Sequence, residues 1–175
     1  MFNETHATRG DPWELSQSSH RVLYGVARTV GRTPHARSTT DGFYRNGSPP
    51  VTHNFCACDS RLSYDACCGP LHSGQAAPTA EALMRSRYSA FVLCNESYLL
   101  ATWHNSARPN TVAFEPKMKW LGLRIVASKT TTETTAEVEF IARYRIGGGS
   151  AARQHERSRF VLEHGRWFYI DGEVK

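Results

Sequence analysis

Four cysteines lie within thirteen residues of this 175-residue chain, and their type and spacing suit metal chemistry. They follow the order C-x-C-x8-C-C, as Cys56, Cys58, Cys67 and Cys68. Two close pairs joined by a short loop can bring four thiolates onto one tetrahedral ion, and zinc prefers that ligand set. A closed shell of four sulfurs leaves no position for a substrate. The spacing therefore predicts a structural zinc site that offers a docking surface, and not a catalytic centre.

Other uses of these thiols stay open. Two disulfides would have to cross the loop in an awkward geometry, because Cys67 and Cys68 are adjacent. The first thirty residues lack the basic and apolar segments of a signal peptide, and the C-x-x-C spacing of a redox dithiol is missing. Metal binding is the preferred interpretation. His72 is an alternative ligand, although a solvated loop histidine is the favoured interpretation for it.

The run 56–69 reads Cys-Ala-Cys-Asp-Ser-Arg-Leu-Ser-Tyr-Asp-Ala-Cys-Cys-Gly and resembles the SEC-C zinc motif. That motif is also found at the C-terminal tail of the preprotein translocation ATPase. It typically reads C-x-C-G-S-G, then Lys or Tyr, then C-C or C-H, then Gly. The resemblance implies that the four cysteines are the ligands. Asp59 and Arg61 stand where the motif usually has glycine, which adopts a positive φ at little cost; Asp59 tolerates that angle better than Arg61.

Three further segments, 79–91, Trp103-His104 and 155–160, resemble the YchJ-like family of small bacterial proteins. Those proteins pair an N-terminal SEC-C motif with a domain similar to nuclear transport factor 2. The resemblance covers roughly residues 54–173. It implies a bound zinc ion and a cone-like curved antiparallel sheet packed on N-terminal helices. The family is uncharacterised, so the resemblance implies a fold and a metal but no reaction.

The hydrophobic pattern independently predicts two helices followed by four strands. The first helix starts after the N-cap Thr79, and the second covers about 95–103. Strands are predicted at about 118–129, 134–146, 152–163 and 166–171, with clean alternation in the second. Helices followed by an antiparallel meander indicate an α+β fold, in agreement with the resemblance. Cys94 is predicted to be a buried core thiol at the end of the apolar stripe of the first helix.

The chain divides into three parts in this interpretation. Residues 1–53 are rich in Arg, Ser, Thr, Gly, His and Pro without periodicity, and are predicted to be disordered because they cannot bury enough apolar surface. The alternative is a start assigned too early, with translation beginning near Val51. Residues 54–74 form the zinc knuckle, and residues 78–175 form the α+β domain. The chain is long enough for one good core.

Charge and hydropathy narrow the classes of partner. The net charge of +5 is mild, and most of the 21 basic residues are arginines. The sequence shows no basic stripe interleaved with exposed aromatic residues, so a nucleic acid is not expected as a partner. No apolar stretch approaches the length of a membrane span. We expect a cytoplasmic protein, with a homodimer as one open oligomeric state.

Two charged residues stand at positions expected to face the interior. Arg87 lies in the middle of the apolar stripe of the first helix, and Glu156 shares a strand face with Phe160 and Leu162. Because an unpaired buried charge is costly, Arg87 and Glu156 are predicted to meet in or near a pocket. The alternative is that Arg87 extends to the domain edge. The remaining pocket candidates are polar or aromatic: Tyr88, Trp103, His104, Tyr144, His155 and Asp171.

Two functional hypotheses follow. The preferred one is a binding or adaptor protein that docks a protein or ribosomal partner through the zinc knuckle. The second is an enzyme or small-molecule binder that uses the cone pocket, with His104 or His155 as a candidate general base, although surface roles are favoured for both. An open cavity with His104 or Glu156 at its base favours the second hypothesis. A pocket filled by aromatic side chains favours the first. The sequence names no partner, substrate or pathway.

Overall fold

The computed structural model describes residues 55–175, so the predictions for residues 1–53 lie outside the described residues. Helices α1 (Cys68–His72), α2 (Ala80–Val92) and α3 (Glu96–Ala101) precede strands β1 (Met118–Thr130), β2 (Thr135–Ile146), β3 (Ala152–Glu163) and β4 (Arg166–Val174). The predicted α+β class is confirmed. None of the helices in this part of the chain combines the length and apolar character needed to cross a membrane.

Side-chain caps fix where the two longer helices begin. The Thr79 hydroxyl accepts a hydrogen bond from the Ala82 amide at 3.0 Å, and Glu81 lies in the first turn of α2, where a negative charge is favourable. The Asn95 side chain accepts from the Tyr98 amide at 3.1 Å and caps α3. The helix α1 was not predicted, because its five residues are too few to show a helical period.

The prediction of a buried Cys94 is wrong. Helix α2 ends at Val92, and Cys94 has a φ of 53°, outside the helical region. Its thiol is exposed. Helical spacing places a residue on the apolar face only while the backbone remains helical, and the chain has already turned when it reaches this position.

The four strands form one antiparallel sheet in the order β1-β2-β3-β4. Alternate residues of β2, namely Ala136, Val138, Phe140 and Ala142, are buried, as the sequence alternation predicts. The β1–β2 pairing shifts register between Trp120 and Gly122 and again between Ile125 and Ala127. Such bulges bend the bulged strand and increase its twist, which is consistent with the curved sheet of the cone fold.

One hydrophobic core joins the cysteine segment to the sheet. Cys56, Cys58 and Cys68 are buried in the same cluster as Leu83 and Ala90 of α2, and the inner face of β2 belongs to that cluster as well. The predicted division into a unit of 54–74 and a unit of 78–175 remains a prediction about organisation. The packing places both segments around a shared interior.

Candidate metal centre and cavity

The four predicted ligands converge on one point. Their sulfur atoms all lie within 4.8 Å of one another. The Sγ atoms of Cys58 and Cys67 are 3.5 Å apart, and those of Cys67 and Cys68 are 3.8 Å apart. A tetrahedral zinc ion with Zn–S distances of about 2.3 Å separates its sulfur ligands by about 3.8 Å. The donor set and its spacing therefore fit a zinc ion.

A tight loop brings the two cysteine pairs together. Asp59 and Arg61 have φ angles of 60° and 63°, the left-handed conformation that the glycines of the motif adopt at little cost. The amide of Cys56 donates to the Leu62 carbonyl at 2.7 Å and closes the loop. At the two positions where the motif usually has glycine, this chain therefore holds non-glycine residues in a conformation that glycine adopts more easily.

The thiols interact too strongly to ionise independently. The hydrogen bond with Cys68 lowers the pKa of Cys58 to about 4, and the same contact raises the pKa of Cys68. Burial raises the pKa of Cys67. Negative charge on one sulfur opposes negative charge on its neighbours, so all four can be thiolates together only around a cation. This electrostatic demand agrees with the geometric fit.

Helix α2 contacts the cysteine segment through the side that faces away from the sheet. The Ser89 hydroxyl lies 3.3 Å from the Sγ of Cys56, and Arg85 donates to the carbonyl of Cys58 at 3.0 Å. Arg85 is in turn held by Glu81 at 2.9 Å. Hydrogen bonds of this kind orient metal ligands and tune their basicity. The knuckle, defined here as residues 55–74, is therefore fixed against α2.

His72 is neither a ligand nor a solvated loop residue. Its Nδ1 lies 2.8 Å from the Tyr64 hydroxyl, and its Nε2 lies 2.9 Å from the Ser86 carbonyl. Its ring centroid is 4.4 Å from that of Tyr98. Nδ1 therefore joins α1 to the knuckle loop and Nε2 joins α1 to α2, so both sequence interpretations of this residue are corrected.

A cavity of about 160 Å³ opens between the inward side of α2 and the inner face of the sheet. Aromatic rings form much of its wall, and Arg87, Arg153, Gln154, Glu156 and Ser158 add polar groups. Five of the sequence candidates line it: Arg87, Tyr88, Trp103, Tyr144 and Glu156. The cavity therefore combines an apolar body with a small number of positioned polar groups.

The buried guanidinium of Arg87 is held by a carbonyl, a hydroxyl and two rings. The residue is 3% exposed. Its NH1 donates to the Leu99 carbonyl and to the Thr102 hydroxyl, both at 2.8 Å. The guanidinium carbon lies 4.4 Å from the ring centroid of Tyr169 and 4.9 Å from that of Trp103. Contacts between a desolvated cation and ring faces are favourable. Arg87 is thus buried at the cavity and does not reach the domain edge.

The carboxylate of Glu156 has its own set of donors. It accepts hydrogen bonds from Gln154 at 2.5 Å, Ser158 at 2.8 Å and Tyr169 at 3.4 Å. Gly172 leaves the space that this side chain occupies, since a Cβ there would lie 2.0 Å from Glu156 Oε1. The structure brings Arg87 and Glu156 to the lining of one cavity.

Comparison with known proteins finds relatives of both the cysteine segment and the α+β domain. The family model described as "YchJ, middle NTF2-like domain" matches residues 79–172. A UPF0225 protein of Xanthomonas campestris pv. campestris is 52% identical over 126 residues, which cover 71% of this chain and 98% of the relative. A UPF0225 protein of Polaromonas naphthalenivorans is 57% identical over 113 residues, covering 64% and 82% of the two chains. The chain belongs to the YchJ-like family.

Two solved structures carry the same architecture as this YchJ-like chain. The solution structure of a SEC-C motif containing protein from Rhodopseudomonas palustris has a TM-score of 0.64 and 38% identity, and the match covers 69% of this chain and 98% of that one. A crystal structure of a SEC-C motif containing protein from Psychrobacter arcticus has a TM-score of 0.58 and 29% identity, covering 71% and 84%. The predicted family and its fold are confirmed.

Three pocket candidates of this YchJ-like chain lie outside the cavity lining, which corrects their assignment. His104 contacts Ser106 at 2.6 Å and Glu163 at 3.2 Å. His155 lies 2.7 Å from Glu139. The third, Asp171, accepts from Arg159 Nε at 2.6 Å. His155 and Asp171 each precede a strand residue that lines the cavity, so strand alternation directs them to the other face.

Sequence reasoning missed one contact that positions the knuckle in this YchJ-like fold. The Oδ2 atom of Asp59 accepts a hydrogen bond from the Leu123 amide at 2.9 Å. At the neighbouring Gly122, which has a φ of 139°, a Cβ would lie 2.8 Å from the same oxygen. An isolated glycine within a strand is a known signal of a bulge or a close approach, and Gly122 carried that signal.

Proposed function

We propose that this YchJ-like protein is a zinc-stabilised binding protein whose ligand site is the cavity between α2 and the sheet. The observation that carries the proposal is the placement of two buried charged groups, Arg87 and Glu156, in one cavity with aromatic walls. Ligand sites are typically apolar hollows with a few fixed polar groups. Because both groups are already held by hydrogen bonds, a ligand meets a preorganised site.

The size and lining suggest the class of ligand. The cavity of about 160 Å³ is comparable to an engineered cavity of about 150 Å³ that accepts benzene. Ring walls favour a small aromatic or cyclic ligand. The guanidinium of Arg87 favours a carboxylate or other anionic substituent on it, and Glu156 favours a donor group. A small amphipathic ring compound matches these three features, which support the pocket hypothesis over a filled hydrophobic interior.

Zinc has a structural role in this proposal. Cys56, Cys58, Cys67 and Cys68 would hold the ion, and its four thiolate ligands would leave no position for a substrate. A bound ion would cross-link the four cysteines and so help to keep the knuckle against α2, whose other side lines the cavity. A cytoplasmic location belongs to the same proposal, because reducing compartments keep thiols free for metal. Metal analysis of the purified protein should give about one zinc per chain.

A thermal-shift screen of small aromatic acids and amines against the full-length protein tests the cavity. We expect a subset to raise the melting temperature. The Ala142→Leu variant should abolish that shift, because Ala142 lines the cavity and the longer side chain occupies it. The matched control is Ala127→Leu, since Ala127 is exposed on β1. Equal ligand-induced shifts in melting temperature for the two variants would contradict the proposal. So would a screen in which no compound raises the melting temperature of the parent protein.

The docking of a protein or ribosomal partner through the knuckle is the second candidate function. It is favoured by one specific observation: Leu62 is 52% exposed beside Arg61, on a loop that the metal centre would hold rigid. An exposed apolar side chain next to a cation on a rigid surface is suited to a protein contact.

Affinity capture from a bacterial lysate tests this second function. The parent is compared with an Arg61→Gly, Leu62→Ser variant, in which the glycine keeps the backbone conformation of the loop. A Cys67→Ser, Cys68→Ser variant tests dependence on the metal. A partner that is lost in both variants, in preparations whose sheet is intact by circular dichroism, supports docking through the knuckle. Capture that is the same in all three proteins contradicts it.

A further inference from the structure

The outer face of the sheet, opposite the cavity, carries a second concave surface next to the knuckle. It is a groove of about 640 Å³, named here the arginine groove. Its lining includes three arginines, Arg124, Arg143 and Arg153, and the aliphatic residues Leu121 and Ile141, with Asp59 at the wall. The groove joins the knuckle to the first three strands.

Strand register concentrates positive charge in this groove. Arg143 is the direct cross-strand partner of Arg153 in the β2–β3 ladder and of Gly122 in the β1–β2 ladder. Lys119 and Arg145 face each other two residues further along β2. Like charges directly opposite on neighbouring strands destabilise a sheet. Two successive like-charge pairs lower the stability of the sheet. Their presence indicates a surface whose positive charge is neutralised by a bound anion.

The other half of the same face is arranged differently. There Glu139 takes contacts from His155 at 2.7 Å, Lys175 at 2.8 Å and Arg157 at 3.2 Å. Arg159 pairs with Asp171. Within the part of the chain that the structure describes, the four arginines in or beside the groove make no ion pair or side-chain hydrogen bond: Arg124, Arg143, Arg145 and Arg153. The sheet therefore neutralises one half of its outer face and leaves the other half cationic.

We infer that the arginine groove binds an acidic peptide segment of a partner protein. Carboxylates of the segment pair with the guanidinium groups of Arg124, Arg143 and Arg153, whose planar forks match carboxylate geometry. Aliphatic side chains between those carboxylates rest on Leu121 and Ile141. This inference deepens the docking function, on which it rests for the existence of a protein partner, by naming the surface and the chemistry of the segment.

The lining favours a peptide over a nucleic acid. Single-stranded nucleic acids stack their bases on aromatic side chains, and the groove lining consists of aliphatic and charged residues. Asp59 places a carboxylate at the wall, which opposes a continuous row of phosphates but is compatible with acidic side chains spaced along a peptide. The segment 1–54 of this chain has six arginines against four acidic residues, so its charge does not complement the groove.

The test is a binding titration with the full-length, metal-loaded protein and a fluorescent twelve-residue peptide of alternating Glu and Leu. We expect saturable binding that weakens steeply between low and physiological salt. The Arg143→Gln, Arg153→Gln variant should weaken binding by about tenfold or more. The matched control Arg157→Gln, Lys175→Gln also removes two positive charges from the protein, but outside the groove lining, and should change affinity by less than about twofold. All side chains changed are exposed or half-exposed, and circular dichroism verifies that both variants fold.

Three outcomes would overturn the inference. Equal weakening in both variants would show attraction by net charge alone. Tighter binding of a single-stranded oligonucleotide, lost in the Arg143→Gln, Arg153→Gln variant, would make the occupant a nucleic acid. Self-association that the same substitutions abolish would make it a second copy of this chain.

The experiments can contradict the acidic-peptide inference and the docking proposal for the knuckle independently of each other. A partner captured through Arg61 and Leu62, combined with no peptide binding to the groove, would leave the docking function standing and remove only the acidic segment. Peptide binding that depends on Arg143 and Arg153, combined with unchanged capture by the knuckle variant, would support the groove and remove the knuckle as the contact surface. A third substitution, Ile141→Ser, tests the apolar floor, since it should weaken the Glu-Leu peptide more than a poly-Glu peptide.

Discussion

Asp59 stands where the SEC-C motif usually has glycine, and its side chain makes a structural contact that glycine cannot make. Its φ of 60° is one that glycine adopts freely and aspartate adopts at moderate cost. In return, the carboxylate accepts the amide of Leu123 next to a bulge in the edge strand β1. The knuckle of this chain is therefore attached to the sheet by a contact that the motif's glycine cannot make.

Substitution of Asp59 separates these two effects. Asp59→Gly relieves the backbone but leaves the Leu123 amide without its acceptor, whereas Asp59→Asn keeps an acceptor and tolerates the same φ. We expect the glycine variant to be less stable than the asparagine variant by about 1 kcal/mol. Urea unfolding of both metal-loaded variants measures the difference. A glycine variant at least as stable as its asparagine counterpart would show that only backbone conformation matters at this position.

The absence of a side chain at Gly172 decides where Glu156 lies. A Cβ at this position would lie 2.0 Å from Oε1 and 2.9 Å from Cγ of Glu156, so the whole end of that side chain would have to move. We expect Gly172→Ala to destabilise the domain by about 1–3 kcal/mol, in the range typical of overpacking. Thermal unfolding measures this.

Gly148→Ala is the control for that substitution, because a Cβ at Gly148 meets no atom within 4 Å. Its melting temperature should remain close to that of the parent. If Gly172→Ala has the same melting temperature as the control and still binds the cavity ligands, the fixed position of Glu156 is required neither for stability nor for ligand binding.

At the scale of the elements, helix α2 connects the two sites. Ser89 and Arg85 contact the cysteine segment, while Arg87 and Tyr88 line the cavity. The Tyr88 hydroxyl also accepts the Gly122 amide at 3.0 Å, which fixes α2 to the bulge of β1. A displacement of the knuckle would therefore be transmitted to the cavity wall through one helix.

The strands show what the sequence could and could not predict. Period-two alternation correctly predicted the inner face of β2. The same rule contradicts the pocket prediction for His155, because this residue directly precedes the inward Glu156. Two things were beyond its reach. The pairing of Arg143 with Arg153 depends on cross-strand register, and the hydrogen bond of Asp59 depends on how the knuckle packs on β1. Both are long-range contacts, and local periodicity carries no information about them.

The ion pairs on the outer face of β2 predict an acid dependence of stability. Hydrogen bonds from Lys175 and His155 lower the pKa of Glu139 from its ordinary 4.5 to about 2. A lowered pKa in the folded state contributes stability that is fully present above pH 4.5 and is lost as the pH falls towards 2. Glu139→Gln removes this contribution at every pH.

Urea unfolding of parent and Glu139→Gln between pH 7 and pH 2 measures the effect. The difference in unfolding free energy should be constant at neutral pH and should shrink as the pH falls below that ordinary value. Glu133→Gln, an exposed change in the β1–β2 turn, should show no such convergence. A difference between parent and Glu139→Gln that stays constant to pH 2 contradicts the assignment.

For the whole molecule, the shared core has a consequence for cooperativity. Three of the four metal-site cysteines are buried in the same cluster as Leu83, Val138 and Phe160. If the knuckle were an independent appendage, its loss would leave the sheet unchanged. Since it contributes to the interior that α2 and the sheet also enclose, we expect knuckle and sheet to unfold together.

Thermal unfolding in a Cys94→Ser background tests this cooperativity, because the exposed thiol of Cys94 would otherwise react at all temperatures. Circular dichroism reports the sheet, and alkylation of the remaining cysteines reports the metal centre. The two midpoints should coincide. A chelator should lower both by more than about 10 °C, since a structural zinc contributes several kcal/mol to folding. Alkylation well below the melting of an unchanged sheet would instead support two separate units, and the metal would then no longer be a support of the cavity wall.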